Sequence, residues 1–193
     1  MNSSGNGASA RAGRAVFVDR DGTLNPDLHY LSDPARLELY RGVPEAIGLL
    51  RRHGYRVVCV TNQSGVERGF YTAEDVDRIH ARLQELLARG GASIDAFYYC
   101  PHAPERGCAC RKPGTLLFEQ ASHDLGVRFP GSAVIGDRAL DMEAGERLGL
   151  LTVLVPQFGH ERESRREIAQ SPVRPDIRAP SFRAAAQWIL NCG

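Results

Sequence analysis

Short apolar runs and segments of helical periodicity alternate along most of the chain. Apolar runs of strand length occur at residues 15–18, 55–60, 96–99, 133–135 and 151–155. Segments with helical spacing lie between and after them, at residues 44–53, 72–89, 115–125, 138–148 and 181–190. Repeated β–α units favour parallel strands joined by right-handed crossovers. The pattern therefore predicts an α/β fold, a three-layer Rossmann-like sandwich with a mainly parallel central sheet.

Start and stop signals support the first two helices. Pro44 stands where its missing N–H costs nothing at the start of a helix, and Gly54 marks the end of that helix. Thr72 precedes the second helix with Asp75 three residues later, which is the spacing of a capping box. Residues 156–175 are polar and charged without clear periodicity, so we expect a loop or a partly disordered segment there.

Length and composition favour one globular unit. A chain of 193 residues is long enough to bury a sizeable core, and no internal repeat is visible. We therefore expect a flexible N-terminus over residues 1–14, rich in Ser, Gly and Ala, followed by a single domain over residues 15–193. No insertion between the predicted elements is long enough to form a large cap domain.

The charge balance and the apolar runs argue against several classes of partner. The net charge is +1, with acidic and basic residues mixed along the chain, so a dedicated nucleic-acid surface is not expected. No apolar stretch approaches the roughly 20 residues that span a bilayer, and the N-terminal segment lacks the apolar middle of a signal peptide. We expect a cytoplasmic monomer with no nucleic-acid or membrane partner.

Two aspartates follow the first predicted strand directly. Asp19 and Asp21, at i and i+2, lie on the same side of the backbone. At the carboxyl end of a parallel strand they face the crevice in which α/β proteins bind ligands. Two neighbouring carboxylates repel unless a cation joins them, and Mg²⁺ takes carboxylate and carbonyl oxygens while leaving room for a phosphate oxygen. The pair therefore indicates a metal-assisted phosphoryl-transfer site.

Two other interpretations of this segment are available. Asp and Gly are common in turns, so residues 19–22 alone are also consistent with a polar turn. A calcium loop that begins at Asp19 requires Gly at its sixth position and Glu at its twelfth, but Leu24 and Tyr30 stand there. The calcium loop is excluded, and the choice between a turn and an active site depends on the rest of the chain.

Groups suited to phosphoryl transfer recur at other strand ends and loops. Thr61 offers a hydroxyl and an N–H to a phosphate oxygen, Lys112 offers a positive charge, and Asp137 offers a third carboxylate, with Asp141 four residues on. Phosphoryl transfer needs positioning and charge neutralisation of this kind. Each group alone is better explained as a loop cap, a solvated charge or a helix cap. Their order and their placement at strand ends together favour the active site.

Four segments resemble the signature motifs of the haloacid dehalogenase superfamily of phosphatases. In chain order they are Val18-Asp19-Arg20-Asp21-Gly22-Thr23, Val60-Thr61-Asn62, Arg111-Lys112-Pro113 and Ile135-Gly136-Asp137-Arg138. The resemblance extends from about residue 15 to about residue 155.

The resemblance implies a role for each of these residues. Asp19 is the expected nucleophile, which forms an aspartyl-phosphate, and Asp21 is the expected general acid and base. Thr61 and Lys112 are expected to hold the phosphoryl oxygens. A catalytic Mg²⁺ is expected to bind the carboxylates of Asp19 and Asp137 and the main-chain carbonyl of Asp21.

A second group of candidate metal ligands follows the third predicted strand. It consists of three thiols and one imidazole within eleven residues, namely Cys100, His102, Cys108 and Cys110. Four such ligands fill a tetrahedral zinc shell and leave no open position, which is typical of a structural site. The alternative is a set of reduced surface thiols beside a chance histidine. Four N/S ligands at such close spacing argue against this alternative. We expect a structural Zn²⁺ that clips this loop and orders Arg111 and Lys112.

The segment after the second strand separates two zinc-clipped families that the chain resembles. It reads Thr61-Asn62-Gln63-Ser64-Gly65-Val66-Glu67-Arg68-Gly69. This is similar to Thr-Asn-Gln-Ser-Gly-x-x-Arg-Gly of the D-glycero-D-manno-heptose 1,7-bisphosphate 7-phosphatase family, which makes lipopolysaccharide precursors. The histidinol-phosphate phosphatase family tends instead toward Thr-Asn-Gln-Asp-Gly-Leu-Gly. The resemblance implies a small phosphorylated sugar as substrate, with histidinol phosphate as the alternative.

Without a large cap domain, substrate specificity is expected to come from loops. Arginine suits a phosphate or vicinal hydroxyls because it presents a planar fork of donors, and Arg68 suits a substrate that bears a second phosphate. The expected substrate contacts are Asp27, Tyr30, Asn62, Gln63, Ser64, Arg68, Arg111 and Arg138.

A different functional class stays open, a catalytically silent zinc-bearing binding module that keeps the fold. The presence of every catalytic residue type in one chain argues against it. Outside the motifs, we expect Cys59 in the core and Cys192 on the surface. Ordinary surface or packing roles are expected for the remaining histidines, His53, His80, His123 and His160.

Overall fold

The computed structural model describes residues 13–156 and 161–192 of the chain. The strands are Arg14–Val18 (β1), Tyr55–Asn62 (β2), Ala96–Cys100 (β3), Arg128–Gly136 (β4), Leu151–Leu154 (β5) and Ile177–Arg178 (β6). They form one sheet in the order β3-β2-β1-β4-β5-β6, and every pair of neighbours is parallel. The prediction of an α/β fold with a parallel central sheet is confirmed.

Helices alternate with the strands. They are Val43–Arg52 (α1), Ala73–Arg89 (α2), Leu116–Leu125 (α3), Ala139–Arg147 (α4), Glu161–Gln170 (α5) and Phe182–Cys192 (α6), with short 3-10 turns at Pro34–Arg36 and Pro104–Arg106. The predicted capping box at the start of α2 is present. The Thr72 hydroxyl accepts from the Asp75 N–H at 3.2 Å, and the Asp75 carboxylate accepts from the Thr72 N–H at 2.7 Å.

Alternate side chains of β1 face opposite layers of helices. Val16 and Val18 pack in a core with α1, α2 and α6, whereas Ala15 and Phe17 pack with α3 and α4. All four side chains are buried, as expected for a parallel strand that is covered on both faces. The three-layer sandwich is therefore confirmed. Cys59 lies in the core and Cys192 is exposed, as predicted.

The expected loop at residues 156–175 is wrong in its central part, because Glu161–Gln170 forms α5. Ile168 of α5 is buried against Met142 of α4 and Leu154 of β5. The helix was missed because Ile168 and Ala169 are its only apolar residues, so no apolar stripe can be recognised. Apart from Ser164, the other residues of α5 are Glu, Arg and Gln, which are good helix formers.

Some predictions fall on residues that the structure does not describe. Residues 1–12, most of the segment predicted to be flexible, lie outside the described residues, as does His160. In the described part of the chain, no helix is long and apolar enough to cross a membrane.

The strand order reverses beside β1, which has β2 on one side and β4 on the other. The register places Val18 beside Ile135, and the Asp19 N–H donates to the Ile135 carbonyl at 3.0 Å, so β1 and β4 end side by side. In parallel α/β sheets, a reversal of this kind opens a crevice at the carboxyl ends of the strands. The fold thus provides a ligand site where the predicted catalytic residues begin.

Candidate active site

Three buried carboxylates meet in this crevice. Asp19 follows β1, Asp137 follows β4, and Asp141 lies in the first turn of α4. One oxygen from each carboxylate lies within 4.8 Å of the other two. Asp19 and Asp137 were predicted to share a metal ion, and the structure brings them together. Asp141 was noted in the sequence only for its spacing, and the structure makes it the third member of the cluster.

Lys112 supplies the positive charge among these carboxylates. Its Nζ donates to Asp19 Oδ1 at 2.7 Å, to Asp141 Oδ1 at 2.6 Å and to the Val60 carbonyl at 2.8 Å. Burial by itself would lower the pKa of Lys112, but the charges of Asp141 and Asp19 raise it above its ordinary value. Lys112 is therefore a permanent buried cation beside the predicted nucleophile.

Asp19 and Asp137 both experience the repulsion of the cluster. Burial raises the pKa of Asp19 to about 6; the charge of Lys112 opposes this shift and that of Asp141 adds to it. Burial, followed by the charges of Asp19 and Asp141, raises the pKa of Asp137 well above its usual range. A divalent cation at this point would reverse these shifts, because an opposite charge favours the ionised carboxylate.

The surroundings of Asp137 fit such a cation. Its Oδ1 accepts from the Thr23 hydroxyl at 2.9 Å, whereas Oδ2 is buried without a hydrogen-bond partner. Gly22, at φ +87°, lies so close that a Cβ at this position would collide with the Asp137 carboxylate. An unpartnered carboxylate oxygen, two further carboxylates and an approach kept open by glycine form a donor set of the type that Mg²⁺ prefers.

Asp21 is not a member of this cluster, and its carboxylate accepts from four donors. Its Oδ1 accepts from Arg20 Nε at 3.2 Å and from Asn25 Nδ2 at 2.9 Å. Its Oδ2 accepts from Arg20 Nη2 at 2.7 Å and from Gln63 Nε2 at 2.9 Å. Burial by itself would raise the pKa of Asp21, but the charge and hydrogen bonds of Arg20 outweigh burial and lower it. Asp21 is thus ionised and firmly oriented in the free protein.

A cavity of about 320 Å³ opens above these residues. The catalytic candidates Asp21, Thr61 and Lys112 lie in its wall. Every predicted substrate contact also lines it, namely Asp27, Tyr30, Asn62, Gln63, Ser64, Arg68, Arg111 and Arg138. Further lining residues were not predicted, among them His29, Leu31, Tyr71, Pro104 and Leu140. His29 lies between the predicted contacts Asp27 and Tyr30, and Tyr71 follows the segment 61–69 closely, whereas nothing in the sequence indicated Leu140.

The three arginines of the cavity wall are each held by a neighbour. Arg68 Nη2 lies 3.3 Å from Glu105 Oε1, and Arg138 Nε lies 3.0 Å from Glu167 Oε2 on α5. Arg111 donates from Nη1 to the His102 carbonyl at 3.1 Å. Ion pairs at exposed positions are weak, so the guanidinium groups of Arg68 and Arg138 can exchange their carboxylates for a bound anion.

Two predicted contacts have additional structural roles. The Asn62 amide accepts from the Lys112 N–H at 3.0 Å and donates to the Lys112 carbonyl at 3.3 Å, so Asn62 holds the Lys112 backbone against the end of β2. Tyr30 packs edge-on against Phe70 with ring centroids 4.5 Å apart. His29 and Tyr30 both have positive φ, at 50° and 58°, which is a strained backbone for residues with side chains.

The predicted zinc ligands converge as well. The three sulfur atoms lie 3.2–3.5 Å from one another, and His102 Nδ1 lies 3.2 Å from Cys110 Sγ and 3.7 Å from Cys100 Sγ. No disulfide links them in the described part of the chain, where all the cysteines are free. The four side chains surround a common point and can hold one metal ion.

The loop that carries these ligands contacts the segment after β2. The Gln63 N–H donates to the Cys100 carbonyl at 2.7 Å, and the Glu67 N–H donates to the Pro101 carbonyl at 3.1 Å. The Glu67 carboxylate also pairs with Arg106 at 2.9 Å. The Cys/His loop, residues 100–110, therefore supports Gln63 and the segment that leads to Arg68, in addition to Arg111 and Lys112, which follow it.

Sequence comparisons place these features in a family. The model for HAD-hydrolase-like proteins matches residues 109–185. The D-glycero-D-manno-heptose-1,7-bisphosphate 7-phosphatase of Chlorobaculum tepidum is 39% identical over 192 residues, which cover 92% of this chain and 95% of that protein. The D-glycero-beta-D-manno-heptose-1,7-bisphosphate 7-phosphatase of Helicobacter pylori is 41% identical over 133 residues, which cover 68% of this chain and 76% of that protein.

A solved structure shows the same architecture. The D,D-heptose 1,7-bisphosphate phosphatase from B. bronchiseptica, complexed with magnesium and phosphate, superposes with a TM-score of 0.82 at 30% sequence identity. The superposition covers 93% of this chain and 99% of that one.

Proposed function

The chain belongs to the haloacid dehalogenase superfamily of phosphatases, in the heptose 1,7-bisphosphate 7-phosphatase family, and we propose that it removes the C7 phosphate of D-glycero-D-manno-heptose 1,7-bisphosphate. One observation carries this proposal. A buried Asp19–Lys112–Asp141 cluster, with an unpartnered Asp137 oxygen beside it, lies below a cavity that three arginines line. Such a site can transfer a phosphoryl group and bind a second anionic group at the same time.

The first step is nucleophilic attack by Asp19 on the C7 phosphorus. A bond forms between the carboxylate oxygen and phosphorus, and the bond between phosphorus and the C7 oxygen breaks. Asp21 gives its proton to the leaving oxygen, which departs as the C7 hydroxyl. Asp21 is ionised in the free protein, but the negative charge of a bound phosphate raises its pKa and favours the protonated form.

The second step is hydrolysis of the aspartyl-phosphate. Water attacks phosphorus, Asp21 takes a proton from that water, and the bond to Asp19 breaks, so that phosphate is released and Asp19 is again a free carboxylate. Once phosphate has left, Asp21 loses its proton to solvent and returns to the ionised state of the free protein; the proton that it gives in the first step is taken from solvent when the substrate binds. The Thr61 hydroxyl accepts from Gln63 Nε2 at 3.0 Å, which leaves its own proton available for a phosphoryl oxygen. Lys112 Nζ provides the neighbouring positive charge throughout.

Mg²⁺ would be held by the carboxylates of Asp19 and Asp137 and by the main-chain carbonyl of Asp21, with Asp141 next to them. When bound, it neutralises charge on the phosphoryl group. Lys112 then keeps the Asp19 oxygen that it contacts in place, and the Thr23 hydroxyl keeps the Asp137 carboxylate in place.

Zn²⁺ would be held by Cys100, His102, Cys108 and Cys110, in a structural role. With zinc–sulfur bonds of about 2.3 Å, the sulfurs of a tetrahedral site lie about 3.8 Å apart. The observed separations of 3.2–3.5 Å are slightly shorter, and all four ligands are supplied by the chain. No position is left for substrate, so the ion would order the loop and take no part in the chemistry.

The arginines of the cavity wall would distinguish this substrate from other esters. Arg68, Arg111 and Arg138 stand around the cavity that the sugar would occupy, with Asp27 and Ser64 as partners for hydroxyl groups. A second phosphate would displace Glu105 or Glu167 from its arginine and form a stronger, charge-assisted pair. A substrate with an amine in place of that phosphate, such as histidinol phosphate, would be repelled.

The test measures phosphate release with Mg²⁺ from heptose 1,7-bisphosphate and from histidinol phosphate. We expect a strong preference for the bisphosphate and a loss of at least about a thousandfold in kcat for Asp19→Asn, because the amide cannot act as a nucleophile. Asp77→Asn, at an exposed position of α2, is the matched control and should retain full activity. A preference for histidinol phosphate would contradict the proposed substrate, and an active Asp19→Asn would contradict the proposed nucleophile.

A further inference from the structure

Arg20 lies directly beneath the active site, between the two motif aspartates. It is the largest completely buried side chain in the described part of the protein. A buried guanidinium is costly unless its donors are paired, because its charge has left water. Two of its nitrogens, Nε and Nη2, donate to the two oxygens of Asp21. Arg20 therefore forms a bidentate ion pair with Asp21, the predicted general acid and base.

The third nitrogen of Arg20 points to a histidine. Arg20 Nη1 lies 3.4 Å from His80 Nε2, and His80 is 6% exposed. The imidazole, which α2 contributes, stacks on Phe97 of β3 with ring centroids 4.5 Å apart and an angle of 17° between the rings. Tyr99 meets the same imidazole edge-on at 6.0 Å. Packing therefore holds His80 in place against the guanidinium.

The partners define which tautomer His80 adopts. An arginine side chain has only donors, so the imidazole nitrogen that faces Nη1 has to be an acceptor. Burial, assisted by the charge of Arg20, lowers the pKa of His80 to about 3, so the ring is neutral. A neutral ring with an acceptor at Nε2 carries its proton at Nδ1. His80 thus differs from the exposed His53 and His123, with which the sequence alone groups it.

We propose that His80 is a positioning residue for the phosphatase reaction: by accepting from Arg20 Nη1 it sets the plane of the guanidinium, and through it the orientation of the Asp21 carboxylate. This inference rests on the proposed function of Asp21. Proton transfer requires the donor and acceptor within hydrogen-bond reach, so a carboxylate that swings freely loses efficiency. Without His80, the guanidinium keeps its charge but loses one of the contacts that fix its plane.

A comparison of two substrates with different leaving groups distinguishes this positioning role of His80 from a purely structural one. A sugar alkoxide leaves only if Asp21 protonates its oxygen as the bond to phosphorus breaks. The p-nitrophenolate ion leaves without a proton, because it is a stable anion. The ratio kcat/KM covers the steps up to loss of the leaving group and excludes hydrolysis of the aspartyl-phosphate. A misplaced Asp21 therefore lowers kcat/KM for an alkyl phosphate and spares p-nitrophenyl phosphate.

The experiment compares His80→Phe, His80→Gln and Leu83→Ala with the wild type on both esters. His80→Phe keeps an aromatic ring against Phe97 but has no acceptor, so kcat/KM for the sugar phosphate should fall about tenfold to hundredfold. The value for p-nitrophenyl phosphate should stay within about threefold, and His80→Gln, which restores an acceptor, should recover most of the loss. Leu83→Ala removes buried volume from the same helix and should change both esters by the same factor.

Equal changes on both esters in His80→Phe, or no change on either, would overturn the inference. The alkyl ester can be any sugar phosphate that the wild type accepts, so failure with heptose bisphosphate alone contradicts the proposed substrate and leaves this comparison intact. Nitrogen NMR of the wild-type protein gives a result independent of activity. An unprotonated Nε2 and a protonated Nδ1 on His80 are expected, and a proton on Nε2 would overturn the inference whatever the kinetics.

Discussion

The two groups of candidate metal ligands in this protein differ in what holds them in place. Asp19 and Asp137 follow neighbouring parallel strands, whose register sets the distance between them, and both are buried. The Cys/His loop starts at the end of β3 and then continues with a single 3-10 turn as its regular structure. His102, Cys108 and Cys110 are only partly buried. The sheet thus holds the acidic ligands, whereas the Cys/His ligands depend on loop contacts and would gain further order from a bound metal.

The two groups also differ in their charge. The acidic cluster gathers three carboxylates that repel one another, and Lys112 is the cation that offsets part of this repulsion. A metal ion bound there would reduce the repulsion between carboxylates that the sheet already holds in place. At the Cys/His loop, a bound metal would add order to backbone that contacts with Gln63, Glu67 and Arg111 constrain only in part. Loss of a ligand should therefore act mainly on chemistry at the first group and mainly on structure at the second.

Replacement of Lys112 by Met should have the largest effect of the three changes, because it removes the buried cation of the acidic cluster. The change leaves Asp19 and Asp141 without their buried cation, so we expect at least about a thousandfold loss of kcat and about 3–5 kcal/mol of destabilisation. Urea unfolding and phosphate release measure the two effects. Mg²⁺ should restore more stability to this variant than it adds to the wild type. A Lys112→Met protein as stable as the wild type without Mg²⁺ would contradict the repulsion described here.

Removal of the metal from the Cys/His loop should have a smaller effect on activity and a clear effect on order. For Cys108→Ala we expect about a tenfold to hundredfold loss of activity, a lower melting temperature and unchanged Mg²⁺ affinity, because the acidic cluster is held by the sheet. Calorimetry and Mg²⁺ titration measure these quantities, and a chelator should reproduce them in the wild type. Cys192→Ala, at an exposed cysteine outside the loop, is the control. Full activity of the protein without a metal at the Cys/His loop would contradict the expected dependence of activity on that metal.

The Arg68–Glu105 pair joins the cavity wall to the Cys/His loop. Replacement of Arg68 should have the smallest effect of the three changes. For Arg68→Ala we expect about a tenfold rise in KM for the bisphosphate, with kcat and the rate on p-nitrophenyl phosphate nearly unchanged. Glu105→Gln frees the guanidinium and should lower KM slightly. Arg82→Ala, at an ion pair of α2 that does not line the cavity, serves as control. An equal rise in KM for both esters would assign Arg68 to the reacting phosphate and not to the second one.

Local patterns in the sequence were sufficient for much of the site. The strands of a parallel sheet are continuous apolar runs, so the polar residues that end them, such as Asp19 and Thr61, can be recognised without a structure. The Cys/His ligands lie within eleven residues, so their convergence is also a local property. The helix at residues 161–170 was not recognisable, because a single buried Ile168 and one alanine do not form a pattern.

The role of His80 could not have been predicted from spacing. Its spacing from Val76 and Leu83 places His80 on the apolar face of α2, but its contact with Arg20 joins residues 60 positions apart and cannot be seen in that spacing. The pKa of Asp21 is lowered because its adjacent Arg20, together with Asn25 and the distant Gln63, outweighs burial, whereas burial raises the pKa of Asp19, two residues earlier. The neighbours that packing places around each carboxylate make this difference.

Local sequence patterns are enough to identify the residues that end the strands, and therefore the chemical groups that are present. Which strands are neighbours depends instead on how the whole chain folds. Thr23 and Asp137 are 114 residues apart in the chain, yet they form a 2.9 Å hydrogen bond because β4 lies beside β1. The order of the strands depends on how helices cover both faces of the sheet. The free energy of that packing is a property of the whole core. Chain spacing carries no information about that energy, so the geometry of the site appears only when the core is assembled.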